Sequence, residues 1–466
     1  MRYRTLVPLL AAFLAVGVVA VWLILSNRET PDSGQAALRP ASNVKVDVDP
    51  LPPPVPQSGW ETVHLEQVTA EPDSQIDPAE VAALWVPMAK AAKENKWNAW
   101  AYVVDANTGE VILNKKGTAP HTPASTMKLL VGLVALDTLD PLGSLRTGVS
   151  VEGNNLYLWG EGDLLLAAGK GTGETNGYAG LADLAEAAAE DLLDAGIGEV
   201  SLFYQDALFE GESRYPAWAQ ESVAEFAGDV GPYAIDAGRT TPEGWDYVSD
   251  PSRGVANAFV AQLESNGIQV RKTKTGSAPE GAEEIAFVES APLYEQITFM
   301  LRASDNTLAE QYCHLVAEAD GAPTTFQGAT ENLIDQLELR GVNTDGMVAS
   351  DCSGLTSTSR VTGLTLVEAL EVSLDPEGGA QELIQMLPRG GLEGTLHSRY
   401  LEGPGEGNLQ AKTGSLGSVS SLAGIVTTAS GHDLFLAVGV DKAADWMGYQ
   451  ARYPIDTFVE GLAQLN

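Results

Sequence analysis

Ser125 and Lys128, in the stretch "ASTMKLL", have the residue types and the spacing of a nucleophile and its base. Residues three apart at the start of a helix share one face, so the two side chains can meet. A serine hydroxyl needs a neighbouring base, and a lysine can serve if burial or a second cation lowers its pKa. Alone the pattern is weak evidence, because an N-cap serine followed by a surface lysine also produces it. Ser42 and Lys45 repeat it in a Pro-rich stretch where nothing would bury the lysine.

Two further patterns supply the other polar groups that such a nucleophile needs. Ser304-Asp305-Asn306 stands between two apolar helical patterns, where a short loop can turn a hydroxyl and an amide inward. Lys412-Thr413-Gly414 precedes a strand-like run. There a cation and a hydroxyl can bind an anionic substrate, and the glycine permits a close approach. An N-cap followed by an exposed polar pair is the alternative interpretation of the first pattern.

The K-T-G pattern occurs a second time, at 274–276. That copy comes before Ser304, in a basic stretch that ends in Pro and Gly, and only the match itself favours it. Lys412 comes after Ser304, and its downstream sequence "SLGSVSSLAGIV" alternates like an edge strand that continues into a sheet. We therefore assign the active copy to Lys412 and predict that Lys274 is a solvated turn residue.

The surrounding sequence predicts the elements that must position these residues. A helical pattern covers 78–93, a hairpin turns at Asn107-Thr108-Gly109, and a helix that Ser125 or Thr126 can cap follows. From about 140 to 287 the chain becomes Gly- and Ala-rich, which indicates an inserted domain. Strand-like runs at 418–429 and 433–441 and a helix from about Met447 complete the chain. This order predicts an α/β fold whose sheet joins both chain ends.

The N-terminal residues predict export and a membrane anchor. Arg2 and Arg4 precede an uninterrupted apolar run at 6–25, which is long enough to cross a bilayer. No clear A-x-A cleavage site follows, so we favour an uncleaved anchor in residues 1–28 over a cleaved signal peptide. Residues 29–58 are rich in Pro, Ser and Asp and are typical of a linker that separates the body from the membrane.

Composition limits the partners and the cofactors. With 27 Lys and Arg against 63 Asp and Glu, the net charge is −36, which excludes nucleic acid as a plausible partner. Five scattered His and two Cys give no metal-ligand spacing, so we predict neither a metal nor a cofactor. An exported chain can form disulfides, but whether Cys313 and Cys352 lie close enough to pair stays open.

In this order, S-x-x-K, S-D-N and K-T-G are the set used by active-site-serine penicillin-recognising enzymes. The chain resembles the low-molecular-mass penicillin-binding proteins, and among them the D-alanyl-D-alanine carboxypeptidase/endopeptidase (DacB-type) family. The resemblance runs from about residue 76 to the C-terminus. It includes "VVDANTGEVILNKKGTAPHTPASTMKLL", "LYLWGEGDLLL", "DCSGLTSTSRVT" and "GLEGTLHSR".

The resemblance implies the penicillin-binding/serine β-lactamase-like transpeptidase fold, an antiparallel sheet flanked by helices with a helical lobe. The catalytic domain would comprise 59–140 and 288–466. An inserted α/β domain, 141–287, would separate S-x-x-K from S-x-N. Cys352 stands where the family usually has glycine, which leaves the local backbone geometry open and is compatible with a disulfide to Cys313.

The resemblance also implies a role for each motif residue. Ser125 would be the acylated nucleophile, Lys128 its general base, and Ser304 the relay of a proton to the leaving amine. Asn306 would bind the substrate amide, and Lys412 would support the electrostatics.

The rest of the K-T-G strand would recognise the substrate. Thr413 would bind the terminal carboxylate, Gly414 would lie beside it, and the N–H groups of Ser125 and Ser415 would form the oxyanion hole. The substrates implied are peptidoglycan stem peptides, cleaved at the terminal D-Ala–D-Ala bond or at a D-amino-acid cross-link. β-Lactams would acylate Ser125. The expected location is the outer face of the cytoplasmic membrane, or outside the cell if the N-terminal segment is cleaved.

Two other functions fit parts of the pattern. A class A β-lactamase shares the three motifs, but it lacks so large an insertion and needs a deacylating glutamate. The nearest match to that glutamate motif, at 393–397, lacks the asparagine. A membrane-anchored, non-catalytic peptidoglycan-binding protein with the same fold is the other alternative, although every signature residue is present.

Overall fold

The predicted anchor and linker lie outside the described part of the chain. The computed structural model describes residues 76–466, apart from 242, 243, 245, 377, 445 and 446. The Ser42–Lys45 pattern also falls outside these residues. Within them, no helix has the length and apolarity needed to span a bilayer.

The described residues form alternating helices and strands within one compact unit. The strands are β1 Asn98–Asp105, β2 Val111–Lys115, β3 Arg146–Glu152, β4 Asn155–Gly160, β5 Asp163–Leu166, β6 Glu199–Tyr204, β7 Tyr233–Ile235, β8 Gln269–Thr275, β9 Glu283–Glu289, β10 Leu409–Leu416, β11 Val419–Thr427 and β12 Asp433–Asp441. The helices are α1 Pro78–Asn95, α2 Met127–Thr138, α3 Leu181–Asp194, α4 Pro216–Gln220, α5 Pro251–Ser265, α6 Leu293–Ala303, α7 Asn306–Ala319, α8 Phe326–Leu339, α9 Gly363–Val372, α10 Leu383–Met386 and α11 Arg452–Ala463.

The first sheet joins both ends of the described chain, as predicted. Its order is β10-β11-β12-β1-β2, and every neighbouring pair is antiparallel. Alternate residues of β1 enter two separate cores. Trp100 and Tyr102 pack on the side of α2 and α9, and Ala101 and Val103 on the side of α1 and α11. Because both faces of the sheet are covered, its central strands are continuous apolar runs. The α/β fold class is confirmed.

One detail of the sheet prediction is wrong. The run after Lys412 was expected to be an edge strand, but it forms β11, which lies between β10 and β12. The edge strand is β10, which carries Lys412 itself. The first residues of β10, 409–411, are hydrogen-bonded to the backbone of 388–390. The part of the edge on which a peptide can bind is therefore the part that begins at Lys412.

The helix that follows Ser125 begins differently from the prediction. Ala124–Thr126 form a 3₁₀ turn, and α2 then runs from Met127 to Thr138 with its first ten residues buried. Among the residues that the structure describes, no side chain caps the helix, and the Thr126 hydroxyl donates to the carbonyl of Pro123 at 2.8 Å. The predicted capping role is therefore wrong, and the Ser125 hydroxyl is left for another partner.

A second sheet lies between residues 146 and 289. Its order is β8-β6-β4-β3-β9, with β4–β6 and β6–β8 parallel and the other pairs antiparallel. Helices α3 and α5 pack their apolar faces against it. The division of the chain into a catalytic domain and an inserted domain at 141–287 stays a prediction.

Candidate active site

Lys128 is a fully buried lysine with three oxygen partners. Its Nζ lies 2.9 Å from Ser125 Oγ, 2.7 Å from Asn306 Oδ1 and 2.7 Å from the carbonyl oxygen of Ser353. The side chain is 0% exposed, and among the described residues no carboxylate forms an ion pair with it. The lysine is therefore fixed in position by neutral acceptors, one of which is the hydroxyl of the predicted nucleophile.

Burial sets the protonation of this lysine. Desolvation lowers the pKa of Lys128 to about 8, although the charges of Asp351, Glu310 and Asp305 act in the opposite direction. A buried ammonium loses hydration, which neutral acceptors replace only in part. Near neutral pH a useful fraction of Lys128 is consequently free to accept a proton.

Ser304 and Lys412 form a second pair. The Nζ of Lys412 donates to Ser304 Oγ at 2.8 Å and to the carbonyl oxygen of Thr413 at 2.9 Å. Ser304 lies between α6 and α7 with φ +58°, a left-handed conformation that is uncommon for a residue other than glycine. Desolvation and the nearby charge of Lys128 lower the pKa of Lys412 well below its usual value.

Asn306 links Lys128 to the segment that contains Phe226. Its Oδ1 accepts from Lys128, and its Nδ2 donates to the carbonyl oxygen of Phe226 at 2.7 Å. The two contacts fix which end of the amide faces Lys128. One N–H of the amide remains available to a substrate carbonyl.

The glycine of the K-T-G strand allows β10 to pack against the turn that carries Ser125. A Cβ at Gly414 would lie 2.1 Å from Ser421 Oγ and 2.6 Å from the Pro123 carbonyl oxygen. Ser421 itself donates to that carbonyl at 2.7 Å. A larger residue at 414 would push the strand away from the nucleophile, so this is a position where close approach requires glycine.

The residues on either side of Gly414 each have a polar partner. The Thr413 hydroxyl lies 2.7 Å from that of Thr395, and Ser415 Oγ accepts from Arg452 at 2.9 Å. Side chains of other segments therefore orient the hydroxyl groups of Thr413 and Ser415.

The two K-T-G copies occupy very different places. Lys412 is 0% exposed and contacts Ser304. Lys274 lies in β8, an exposed edge strand of the second sheet, with its Nζ 5.8 Å from the ring centroid of Phe203. The structure brings Lys412 into the cluster around Ser125. Lys274 is exposed as predicted, but it lies in a strand, and the predicted turn is wrong.

The loop 351–354 lies next to Lys128 and provides one of its acceptors, the Ser353 carbonyl. Glu310 is fully buried on α7, and its carboxylate accepts from the N–H of Ser353 at 2.7 Å and of Cys352 at 3.2 Å. Asp351 accepts from Trp218 Nε1 at 2.8 Å. Desolvation raises the pKa of both carboxyl groups, that of Glu310 to about 8. These contacts fix the Ser353 carbonyl to which Lys128 donates.

A disulfide joins the same loop to α7. Cys313 and Cys352 are bonded, with their Cα atoms 6.3 Å apart. Cys313 lies on α7, the helix that begins at Asn306. Two of the three acceptors of Lys128 therefore belong to segments that are covalently connected.

Several of these partners were not found in the sequence. Ser353 and Thr395 lie in segments that resemble the family, but the sequence indicates no role for either residue. Glu310, Phe226 and Trp218 carry no local pattern, because their contacts are with residues far away in the chain. The spacing of Glu310 four residues after Asn306 on one helix was the only available signal.

Together these groups have the parts needed for acyl transfer. A hydroxyl lies beside a buried lysine, a second hydroxyl lies beside a second buried lysine, and an amide oxygen accepts from the first lysine. A nucleophile, a base, a proton relay and polar groups that bind a substrate are what covalent catalysis by serine requires.

Comparison with known proteins agrees with this chemistry. The D-Ala-D-Ala carboxypeptidase 3 (S13) family model matches residues 88–245 and 244–461. Carboxypeptidase Rv3627c of Mycobacterium tuberculosis is 31% identical over 410 residues, which is 85% of this chain and 86% of that protein. Carboxypeptidase DacB of Mycolicibacterium smegmatis is 34% identical over 351 residues, 72% of this chain and 75% of that protein.

Among solved structures, the chain is similar to penicillin binding protein 4 (dacB) of Haemophilus influenzae. The TM-score is 0.64 at 19% identity, over 82% of this chain and 98% of that one, which shows a shared fold. The same protein has been solved in complex with a β-lactam. On this evidence the chain belongs to the D-Ala-D-Ala carboxypeptidase 3 (S13) family and is a serine-type DD-peptidase of the cell envelope.

Proposed function

We propose that the chain hydrolyses peptidoglycan stem peptides through an ester on Ser125, at the terminal D-Ala–D-Ala bond or at a D-amino-acid cross-link. The observation that supports this most directly is the 2.9 Å contact between Ser125 Oγ and the Nζ of fully buried Lys128. Burial without a carboxylate partner is the environment that turns a lysine into a base.

In the first step, neutral Lys128 takes the proton of Ser125 while Oγ attacks the carbonyl carbon of the penultimate D-alanine. The N–H groups of Ser125 and Ser415 stabilise the oxyanion. The C–N bond then breaks as Ser304 gives its proton to the leaving amine, and Ser304 is reprotonated through Lys412, to which its Oγ is bonded. An ester on Ser125 and a free amine are the products.

Before the second step, Lys128 releases the proton that it took to solvent, and Lys412 takes one up, so both lysines return to their starting state. Water then attacks the ester carbon, and neutral Lys128 accepts a proton from that water. The C–O bond to Ser125 breaks as Lys128 gives that proton to the serine oxygen, and the shortened peptide leaves as a carboxylic acid. With a β-lactam, Ser125 attacks the carbonyl carbon of the lactam ring, and the C–N bond of the ring breaks. Its opened ring stays attached, so the second step is slow.

Substrate recognition uses the remaining polar groups. The substrate carboxylate binds Thr413, whose hydroxyl is oriented by Thr395 at 2.7 Å. The free N–H of Asn306 donates to the substrate amide. Lys412 contributes positive charge to the binding of the substrate carboxylate. Because a nearby anion favours the ammonium form, Lys412 takes up a proton when the substrate binds.

The test is intact mass spectrometry of the full-length chain after incubation with a penicillin, with Ser125→Ala measured in parallel. We expect an adduct of one penicillin on the parent and none on the variant. The parent should also release free D-alanine from a stem pentapeptide, and the variant should not.

The other outcomes identify the alternatives. An adduct that disappears within seconds, with accumulation of hydrolysed penicillin, would indicate a β-lactamase. Absence of both adduct and D-alanine release, with retained binding to isolated peptidoglycan, would indicate a non-catalytic wall-binding protein.

We also propose that the apolar run at 6–25 anchors the enzyme to the outer face of the cytoplasmic membrane. Its length and the two preceding arginines support this. Fractionation of cells that express the full chain tests it. We expect the protein in the membrane pellet after an alkaline carbonate wash, and release into the soluble fraction would indicate that the segment is cleaved.

A further inference from the structure

The segment 226–239 follows α4 in the chain and packs along the first turns of α7. The Phe226 carbonyl accepts from Asn306 at 2.7 Å, and the Gly228 N–H donates to Thr307 Oγ1 at 2.8 Å. The Gly231 N–H donates to Gln311 Oε1 at 3.0 Å. The backbone of this segment therefore braces the helix that begins with Asn306.

The segment ends in a buried ion pair with the middle residue of S-D-N. Arg239 Nη2 is hydrogen-bonded to Asp305 Oδ2, and the side chains are 13% and 0% exposed. The other oxygen of Asp305 caps α7, accepting from the Leu308 N–H at 2.9 Å. Both oxygens of one buried carboxylate are thus used, one to start the helix and one to bind an arginine 66 residues earlier.

Asp305 separates the two residues that contact the lysines. Ser304, on one side, has the left-handed conformation with φ +58° and points its hydroxyl at Lys412. Asn306, on the other side, accepts from Lys128. A small rotation of the backbone at Asp305 would move both contacts together, so whatever holds Asp305 also holds the proton relay and the amide.

We propose that Arg239 is a positioning residue for acyl transfer, which acts through Asp305 to orient Ser304 and Asn306. This inference rests on the proposed function of Ser125 and Lys128. It gives a residue within the predicted insertion, 141–287, a role in positioning the reactive groups.

The same ion pair affects the charge balance around Lys128. The charged groups that face Lys128 are Asp351, Glu310, Asp305 and Lys412. Burial lowers the pKa of Lys128, while Asp351, Glu310 and, least of the three, Asp305 raise it. Arg239, paired with Asp305, neutralises part of the field of that carboxylate. Without the arginine, the uncompensated carboxylate favours the ammonium form of Lys128. The pH at which acylation is half-maximal should then rise, which a purely structural effect would not cause.

The experiment compares full-length Arg239→Gln with a matched control, Arg340→Gln. Arg340 pairs with Asp137 at 2.6 Å with side chains 13% and 26% exposed, so the control loses an ion pair whose arginine is equally buried. For each variant, the thermal midpoint and the second-order rate of acylation by a fluorescent penicillin are measured between pH 6 and 9.5.

For Arg239→Gln we expect acylation to slow at least tenfold and its pH midpoint to move upward. Arg239→Lys keeps the charge and should restore the parent midpoint together with part of the rate. Arg340→Gln should lower the thermal midpoint and leave the acylation rate within about twofold of the parent. If Arg239→Gln is acylated at the parent rate with the parent midpoint, the proposal is overturned.

A second variant covers failure of Arg239→Gln to fold. Arg239→Gln/Asp305→Asn removes both charges and leaves no buried ion without a partner. We expect at least fivefold slower acylation and a midpoint below that of the parent, because the charge of Asp305 is gone. Parent-like values would refute the positioning role. Failure of the parent itself to be acylated at Ser125 would instead refute the proposed function, so the two failures are distinguishable.

Discussion

The protonation of Lys128 makes a quantitative prediction about the pH dependence of acylation. An ordinary lysine with a pKa of 10.5 would be neutral in about 0.03% of molecules at pH 7, whereas a pKa of about 8 gives about 9%. Burial therefore increases the concentration of the competent base by about 300-fold, which corresponds to about 3 kcal/mol.

In the proposed mechanism the neutral form of Lys128 is the active one, so the rate of acylation should rise with pH and not fall. Below pH 8 the second-order rate constant of acylation should increase about tenfold per pH unit, and it should level off above about pH 8.5. Stopped-flow fluorescence with a penicillin that does not titrate in this range measures the constant. The free enzyme is what such a profile reports.

Two results would refute this reasoning. A flat profile between pH 6 and 9 would mean that a group other than Lys128 takes the proton. A profile still rising at pH 10 would mean that burial does not lower the pKa of Lys128. Lys128→Arg is the control, since a guanidinium cannot be deprotonated in this range, and its residual acylation should show no rise near pH 8.

Three further substitutions test the packing at Gly414, the choice between the two K-T-G copies and the contribution of the disulfide. Gly414→Ala should slow acylation about 100-fold, because the added methyl group must displace the strand from the Pro123 carbonyl, and the second-order rate constant measures this. Lys412→Ala should reduce the same constant at least 100-fold, while Lys274→Ala, its matched control in the other K-T-G, should stay within twofold; equal effects would contradict the assignment. Cys313→Ser removes the disulfide and its closed loop of about 39 residues, so the free energy of unfolding in urea should fall by about 4 kcal/mol.

The sequence predicted the elements that carry the reactive groups because their patterns are local. The hairpin at Asn107–Gly109 and the break at Ser304 each follow from a few neighbouring residues, and the structure has a turn or a break at each place. The spacing of Ser125 and Lys128 also has a local cause, since three residues of helix bring the side chains together.

The contacts that tune the site could not be predicted in the same way. Ser353, Phe226 and Arg239 reach the lysines and S-D-N from positions tens to hundreds of residues away, and no periodicity records such pairings. The capping prediction failed for a related reason. The hydroxyl of Ser125 accepts from Lys128 and that of Thr126 donates to the Pro123 carbonyl, so neither caps the helix.

The burial of Lys128 and Lys412 has a consequence for how an anionic substrate meets the enzyme. The chain has a net charge of −36, so at a distance an anion is repelled by the whole molecule. Only within a few ångströms do the two lysines, both 0% exposed, act on it. Dissolved salt screens the long-range repulsion over roughly 8 Å at physiological ionic strength but scarcely reaches the two buried lysines. Added salt should therefore speed the association of an anionic substrate with the enzyme. It should leave the short-range attraction of the bound substrate almost unchanged.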